Sequence, residues 1–331
     1  MKLNAAIIGC GDMGRNHATQ WQAAENAQVA AVSDPIQERR EKLAESTGAA
    51  AYSDFKDAIL HEDVNVISVC TPVCFHSEIS VFAAEHGRHV LCEKPLALTL
   101  EQADAAITAA KENGVLLSTS LQYRGFARNP RYRKLIQDGE FGGAIFVRYM
   151  DIREVRPKLA MHRQSMNGGP IIDMAGHYFD NMRYITGEEP VSVSAQGHVF
   201  GQGKERLAGI DDLAIDAAEI LVKMTGGHVL SVFVNWGMPE GFKGFGEEYI
   251  IGPAMSARVQ DSEVHLRYPE REETFDANAG NPPGSSVRIN DLAAAIREGR
   301  QPEVTGEDGR IALQVSLAAL ESIKTGQVVT L

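Results

Sequence analysis

The stretch Leu3-Asn4-Ala5-Ala6-Ile7-Ile8-Gly9-Cys10-Gly11-Asp12-Met13-Gly14-Arg15-Asn16-His17-Ala18 decides the fold. Its first six residues are mostly apolar and predict a short strand over Leu3–Ile8, and a helical pattern runs from about Met13 to Glu25. The turn between them reads G-x-G-x-x-G. Gly9 suits the tight turn, Gly11 lets a backbone approach a pyrophosphate, and Gly14 lets the helix pack close to the strand. Unpaired N–H groups at the helix start supply an anion site. Cys10, Asp12 and Met13 complete the expected cradle. Asp34 follows 20 residues after Gly14, at the end of the next strand, where a carboxylate accepts from both ribose hydroxyls of a dinucleotide. Asp34-Pro35 equally suits a helix start. The carboxylate repels a 2′-phosphate and so favours NAD. Arg39 and Arg40 leave NADP open, because they are either phosphate or adenine partners or solvated helix charges.

Outward from this turn, the first 120 residues alternate between two periods. Strands are expected at Gln28–Ser33, near Ala51, and at Val64–Val69, His89–Cys92 and Val115–Thr119. Helices are expected at Gln37–Thr47, Asp54–Leu60, His76–His86 and Thr99–Asn113. Short, weakly charged strands alternating with longer helices indicate a doubly wound parallel sheet of the Rossmann type. After about Gln122 the strands lengthen and alternate with period 2: Gly143–Asp151, Val191–Val199, Ile215–Met224, His228–Trp236, Glu247–Ile251, Ser256–Gln260 and Glu263–Tyr268. Thr225-Gly226-Gly227 is a hairpin turn, and helices fit Arg131–Gln137, Ile171–Ile185, Val287–Arg297 and Gly309–Lys324. The expected fold is α/β, with a Rossmann domain over 1–121 and, over 122–331, a C-terminal α/β domain with a mostly antiparallel sheet. Such a sheet has one face for a second subunit to cover. Asn278–Ser286 reads as a surface loop.

The 331 residues fit about two domains at roughly 150 residues each. With 44 acidic against 32 basic side chains the net charge is −12, which argues against a nucleic-acid-coating protein. No run is long and apolar enough to span a bilayer, and Met1-Lys2-Leu3-Asn4 leads straight into the first strand with no signal-peptide pattern, so the expected address is the cytoplasm. The four cysteines (Cys10, Cys70, Cys74 and Cys92) all lie in the first third, unlike a disulfide scaffold. Cys70-x3-Cys74-x-His76 has a faint metal-site look, but Cys70 ends an apolar run where small buried thiols are common, and no metal is expected.

Three segments carry candidate chemistry. Cys70-Thr71-Pro72 and Glu93-Lys94-Pro95 end strands at the carboxyl edge, where the far half of a dinucleotide lies in such sheets. Pro95 holds Lys94 extended, and Lys94 is either aimed at that edge or an ordinary loop lysine. In Gly168-Gly169-Pro170-Ile171-Ile172-Asp173-Met174-Ala175-Gly176-His177, Asp173 and His177 are four apart and share a helix face, as a surface pair or as a site. Gly176 inside that helix suggests close approach by another group. Tyr123, Arg124, Arg153, Arg156, His162, Arg163, Asn235 and Trp236 lie on segments able to meet a substrate. An indole face suits a sugar ring, but Trp236 fits a core equally well.

The chain resembles the glucose–fructose oxidoreductase / inositol 2-dehydrogenase family (Gfo/Idh/MocA) almost end to end. The resemblance rests on AAIIGCGDMGRNHA, VCTPVCFH, LCEKPLALTLEQA, GGPIIDMAGHYFDNMRYITGE and EVTGEDGRIALQVSLAALESIKTG. It implies a Rossmann domain followed by an open mixed sheet that joins subunits in homodimers or homotetramers. It also implies a catalytic set of Lys94, Asp173 and His177, and cofactor-lining roles for Gly9, Gly11, Gly14, Asp34, Thr71, Pro72, His76 and Glu93, with Lys94–Pro95 a candidate cis bond. The implied activity is NAD(P)-dependent oxidation of a secondary alcohol on a polyol, sugar or sugar derivative. Ketone reduction or cofactor recycling on the same scaffold is the alternative. A non-catalytic NAD-binding sensor is a further one, against which the joint presence of Lys94, Asp173 and His177 argues.

Overall fold

The computed structural model describes residues 1–278 and 286–331, so all of the expected Asn278–Ser286 loop except its two ends lies outside the described residues. The chain forms two compact units. In the first, β1 (Leu3–Ile8), β2 (Ala27–Ser33), β3 (Ala50–Tyr52), β4 (Val66–Val69), β5 (His89–Cys92) and β6 (Leu117–Thr119) form one sheet in the order β3-β2-β1-β4-β5-β6. Every pair is parallel. Strand β4, Val-Ile-Ser-Val, is buried along its whole length, as an uncharged run must be when both sheet faces are covered. The helices are α1 (Asp12–Ala23), α2 (Gln37–Thr47), α3 (Phe55–Ile59), α4 (His76–Glu85) and α5 (Leu100–Glu112). Their ends follow local chemistry. The Asp54 carboxylate caps α3 by accepting from Lys56 N–H at 2.9 Å, Thr99 Oγ1 caps α5, and Gly48 closes α2 in the left-handed region. Strand order reverses between β1 and β4, which brings the loops after β1, β4 and β5 to one carboxyl edge.

The second unit begins at Tyr123. It contains α6 (Arg128–Gln137), β7 (Phe146–Glu154), α7 (Gly169–Asp173), α8 (Ala175–Thr186), β8 (Pro190–His198), β9 (Ala217–Met224) and β10 (Val229–Met238). It continues through β11 (Phe245–Ile251), β12 (Ser256–Gln260), β13 (Glu263–Arg267) and β14 (Glu272–Asp276). Later in the chain come α9 (Ser286–Glu298), which belongs to the first unit, then α10 (Gly306–Thr325) and β15 (Val329–Thr330). The second sheet runs β14-β13-β12-β11-β7-β10-β9-β8-β15, with β10 parallel to β7 and every other pair antiparallel. Gly227, at φ +90°, turns β9 into β10 where the hairpin is expected. Strand β9 buries Ile220, Val222 and Met224 and turns Leu221 and Lys223 outward. The inner face packs on Tyr132 and Leu135 of α6, Ile171 of α7, Phe179 and Met182 of α8, and Val315 and Ala319. Phe146, Leu221 and Ile251 stand exposed. Strands β14 and β15 are absent from the sequence reading, because one is strongly charged and the other only two residues long.

Two expectations need correction. The division at residues 121/122 is not a simple cut, because the segment ending at Arg310 belongs to the first unit and only Ile311–Leu331 returns to the second. Ile289, Leu292 and Ala293 of α9 share a core with Trp21, and Ser118 Oγ donates to the Val304 carbonyl at 2.7 Å. Nor is Ile171–Ile185 one helix: it breaks at Met174, where His177 N–H closes back on the Met174 carbonyl, only three residues earlier, at 3.1 Å. Among the described residues, no helix is long and apolar enough to cross a membrane.

The alternation in β9 sets a test by urea unfolding. Ile220→Ala should cost about 2–5 kcal/mol through the cavity it leaves. Lys223→Ala, on the outward face, should change stability by less than about 0.5 kcal/mol. Equal effects would contradict the face assignment.

Candidate active site

The glycine turn is built by exclusion of side chains. A Cβ on Gly14 would lie 1.9 Å from the Gly9 carbonyl oxygen, so α1 reaches the β1 tip only with no side chain there. Gly9, at φ +93°, lies against the β4 tip, where a Cβ would stand 2.7 Å from the Cys70 carbonyl oxygen. Gly11 differs: a Cβ there would meet nothing within 4 Å. It caps the N-terminal end of α1 without a side-chain bond, which leaves open space in front of backbone donors. Asp34 is buried and accepts from Cys10 N–H through Oδ2 and from Ile36 N–H through Oδ1, each at 2.9 Å. It thus braces the turn and starts the path into α2. A carboxylate offers about four acceptor positions, so about two remain for hydroxyls.

Other expected cradle residues separate. The Cys10 side chain is buried, and burial, with the Asp34 charge, pushes its thiol up to about 12. Its part is packing. Asp12 is exposed and pairs with Arg15 at 2.5 Å, and Met13 is exposed beside it. Arg39 is exposed on α2, while Arg40 donates to the carbonyls of Asp34 and Pro35.

At the β4 and β5 tips, Thr71 Oγ1 is buried with no partner among the described residues. An orphaned hydroxyl at this edge, together with the open Gly11 position, fits a dinucleotide. Pro72 starts a short turn leading to His76. His76 itself is buried, with Nδ1 2.8 Å from the Pro95 carbonyl oxygen and Nε2 2.9 Å from that of Thr71. Both ring nitrogens thus face carbonyl oxygens, one on each loop. His76 therefore ties together the two loops that carry Thr71 and Lys94, which corrects its expected place on the cofactor surface. With both nitrogens on carbonyls, it also has none for a metal. Lys94–Pro95 is cis, Lys94 is half-buried, and Glu93 is buried. Glu93 Oε1 lies 3.0 Å from Nε2 of His17, a residue the sequence reading passed over. Its signal was present: Gly14, His17, Ala18 and Trp21 form the buried stripe of α1.

In the second unit, Asp173 and His177 are both buried, at the end of α7 and in the first turn of α8. The break at Met174 means that regular helix spacing does not relate them. Asp173 Oδ2 accepts from Asn167 Nδ2 at 3.0 Å. The His177 ring stacks on Tyr123, with centroids 4.6 Å apart and planes 8° from parallel. Tyr123 also meets Tyr178 edge-on, and burial, then the Asp151 charge, pushes its phenol up to about 12. Gly176 faces Ala312 at an ordinary distance, 3.8 Å for a Cβ, so no close approach explains it.

The remaining substrate candidates are mostly engaged in structure. Arg124 grips buried Asp180 with two hydrogen bonds, at 2.9 and 2.5 Å. Arg163 donates to Asp212 at 2.8 Å. Trp236, 1% exposed, lies in the core, and its Nε1 donates to Asp151 at 3.0 Å. It offers no open face to a sugar, which corrects that expectation: its strand turns it inward, where the Asp151 carboxylate satisfies the indole N–H. Arg153 pairs with the same Asp151, His162 Nε2 accepts from Arg156 N–H, and Asn235 Oδ1 accepts from Gly237 N–H.

Comparison with known proteins gives a family for both parts of the chain. Residues 3–121 match the family described as "Oxidoreductase family, NAD-binding Rossmann fold", and residues 130–252 match the "GFO/IDH/MocA C-terminal domain". Among curated proteins, the 1,5-anhydro-D-fructose reductase of Ensifer adhaerens is 29% identical, over 97% of this chain and 96% of its own. The myo-inositol 2-dehydrogenase of Thermotoga maritima is also 29% identical, over 99% and 98%. Among solved structures, the aldose-aldose oxidoreductase of Caulobacter crescentus, complexed with glycerol, superposes with a TM-score of 0.86 at 25% identity, covering 100% of both chains.

The two glycines should separate binding from folding. Gly11→Ala should keep stability within about 1 kcal/mol of the parent, yet weaken NAD at least about tenfold by calorimetric titration. Gly14→Ala should cost about 3 kcal/mol or more through the backbone clash. Unchanged NAD affinity in Gly11→Ala would remove the cradle assignment.

Proposed function

Because the chain belongs to the Gfo/Idh/MocA oxidoreductase family, with an NAD-binding Rossmann fold, we propose that it moves hydride between nicotinamide and a secondary alcohol or ketone of a cyclic polyol, sugar or sugar derivative. The observation that carries this reading is the Lys94 turn, set at the same strand-tip edge as the open position at Gly11. The substrate class is supported by relatives named for an inositol and an anhydrosugar.

Bound NAD supplies the hydride acceptor. Moving the proton and holding the charge fall to side chains. His177 takes the hydroxyl proton, a task suited to an imidazole at neutral pH. The stack against Tyr123 fixes its ring plane. Asp173, itself held by Asn167, supports the imidazole as it gains charge. Lys94 stabilises the developing alkoxide through its ammonium group. Asp34 accepts from the adenosine ribose, which favours NAD over NADP. The outward apolar side chains Phe146, Leu221 and Ile251 support assembly into a homodimer or homotetramer through the open sheet face. Net ketone reduction is the second reading, favoured by the relative named as a reductase.

A panel of inositols, aldoses and anhydrosugars, each with NAD and NADP, tests the proposal by absorbance of the reduced cofactor. NADH should form with at least one polyol or sugar; turnover confined to simple 2-hydroxy acids or amino acids would overturn the substrate class. Lys94→Ala and His177→Ala should each lower turnover about 10²-fold or more. Near-normal rates in both would remove the proposed acid–base roles.

A further inference from the structure

Beneath the Glu93-Lys94-Pro95 turn, the first unit carries a line of polar side chains through an otherwise apolar core. Trp21 Nε1 donates to Ser68 Oγ at 2.8 Å, Ser68 Oγ lies 3.1 Å from His17 Nδ1, and His17 Nε2 lies 3.0 Å from Glu93 Oε1. All four side chains are buried. The two ends fix the direction of the line: an indole N–H only donates and an ionised carboxylate only accepts. With the imidazole proton on Nε2, the Ser68 hydroxyl donates to Nδ1 and the ring donates to Glu93, so every polar hydrogen in the line has an acceptor. The other neutral tautomer would set a ring lone pair against the carboxylate. Such a line holds together only when every member is satisfied, and it ends one residue before Lys94.

We propose that His17, backed by Ser68 and Trp21, is a positioning residue that keeps the Glu93 carboxylate ionised and fixed beside Lys94, and so holds the Lys94 turn in its working form. The proposal rests on the role given to Lys94 above. The electrostatics agree. Burial pushes the Glu93 carboxyl up, but the contact with His17, then the Lys94 ammonium and the Ser120 hydroxyl, together outweigh it and hold the group below its ordinary value. The other titratable neighbours are the thiols of Cys70 and Cys92, both pushed far up by burial and so neutral. The sign follows. A depressed carboxyl is ionised above its lowered pKa and protonates only as pH falls through that value. His17 heads the influences that oppose burial, so its removal should move protonation toward neutral pH.

Difference infrared spectroscopy on the full chain reads this directly, with Glu93→Gln identifying the carboxyl band. The parent should show no protonated Glu93 at pH 6, whereas His17→Phe should show it at about pH 6 or above. His17→Gln, which keeps an N–H for the carboxylate, should move back toward the parent. In turnover with NAD and an active polyol, His17→Phe should lower kcat about tenfold or more. KM for both substrates should change less than about threefold. If His17→Phe does not fold, Ser68→Ala should shift the band in the same direction by a smaller amount. An unmoved Glu93 band overturns the proposal, as does a shifted band with unchanged kcat. A rise in KM for NAD alone also overturns it, since it would make His17 part of the cradle only. An inactive parent enzyme would instead remove the proposed function, while the infrared comparison would still judge His17.

Discussion

The approach of Gly14 to the Gly9 carbonyl is the constraint from which the first unit is built. The space between helix and strand tip is smaller than one methyl group. Once α1 is seated there, its buried stripe must lie on the sheet, which sets Trp21 and His17 over β4 and within reach of the β5 tip. The same turn lies against Cys70, so the ends of β1 and β4 cannot separate to admit a larger side chain. Asp34 adds a third anchor from β2 through Cys10 N–H. Backbone donors, a free volume and a carboxylate are thereby fixed around one point, the kind of preorganisation that anion binding and hydride chemistry both require.

The second unit depends less on glycine and more on buried charge. Arg124 with Asp180, and Arg128 with Glu248, are largely sequestered ion pairs, each making two or more hydrogen bonds. Pairs of this kind add little stability over apolar packing, because desolvating both ions offsets their attraction. Breaking one partner would be severe. They fix the geometry of Tyr123 and its neighbours at the start of the unit, where the aromatic ring that stacks on His177 is placed.

Much of this arrangement was legible in the residues. Two periods of hydrophobicity separate the parallel sheet from the antiparallel one, and Gln37–Thr47 and Ser256–Gln260 were bounded correctly by their flanking turn residues. The glycine motif was readable because steric exclusion is a local property. What escaped was set by tertiary neighbours. Whether Trp236 faces a sugar or the core depends on Asp151, 85 residues away. Whether His76 touches a ligand depends on a carbonyl on the next loop. The break at Met174 interrupts a stretch whose composition suits a helix throughout. His17 was missed for the opposite reason: its position in an amphipathic stripe looks like core, and only its partner gives it meaning.

The return of residues up to Arg310 to the first unit bears on how the protein is made. Ribosomes deliver β1 first, yet the core around Trp21 is complete only when Ile289 and Leu292 emerge. Between those moments, the whole nine-stranded sheet except its last short strand is synthesised. The second unit waits longer still, since Val315 and Ala319 of its core come after Arg310, so neither half closes until nearly the whole chain has left the ribosome.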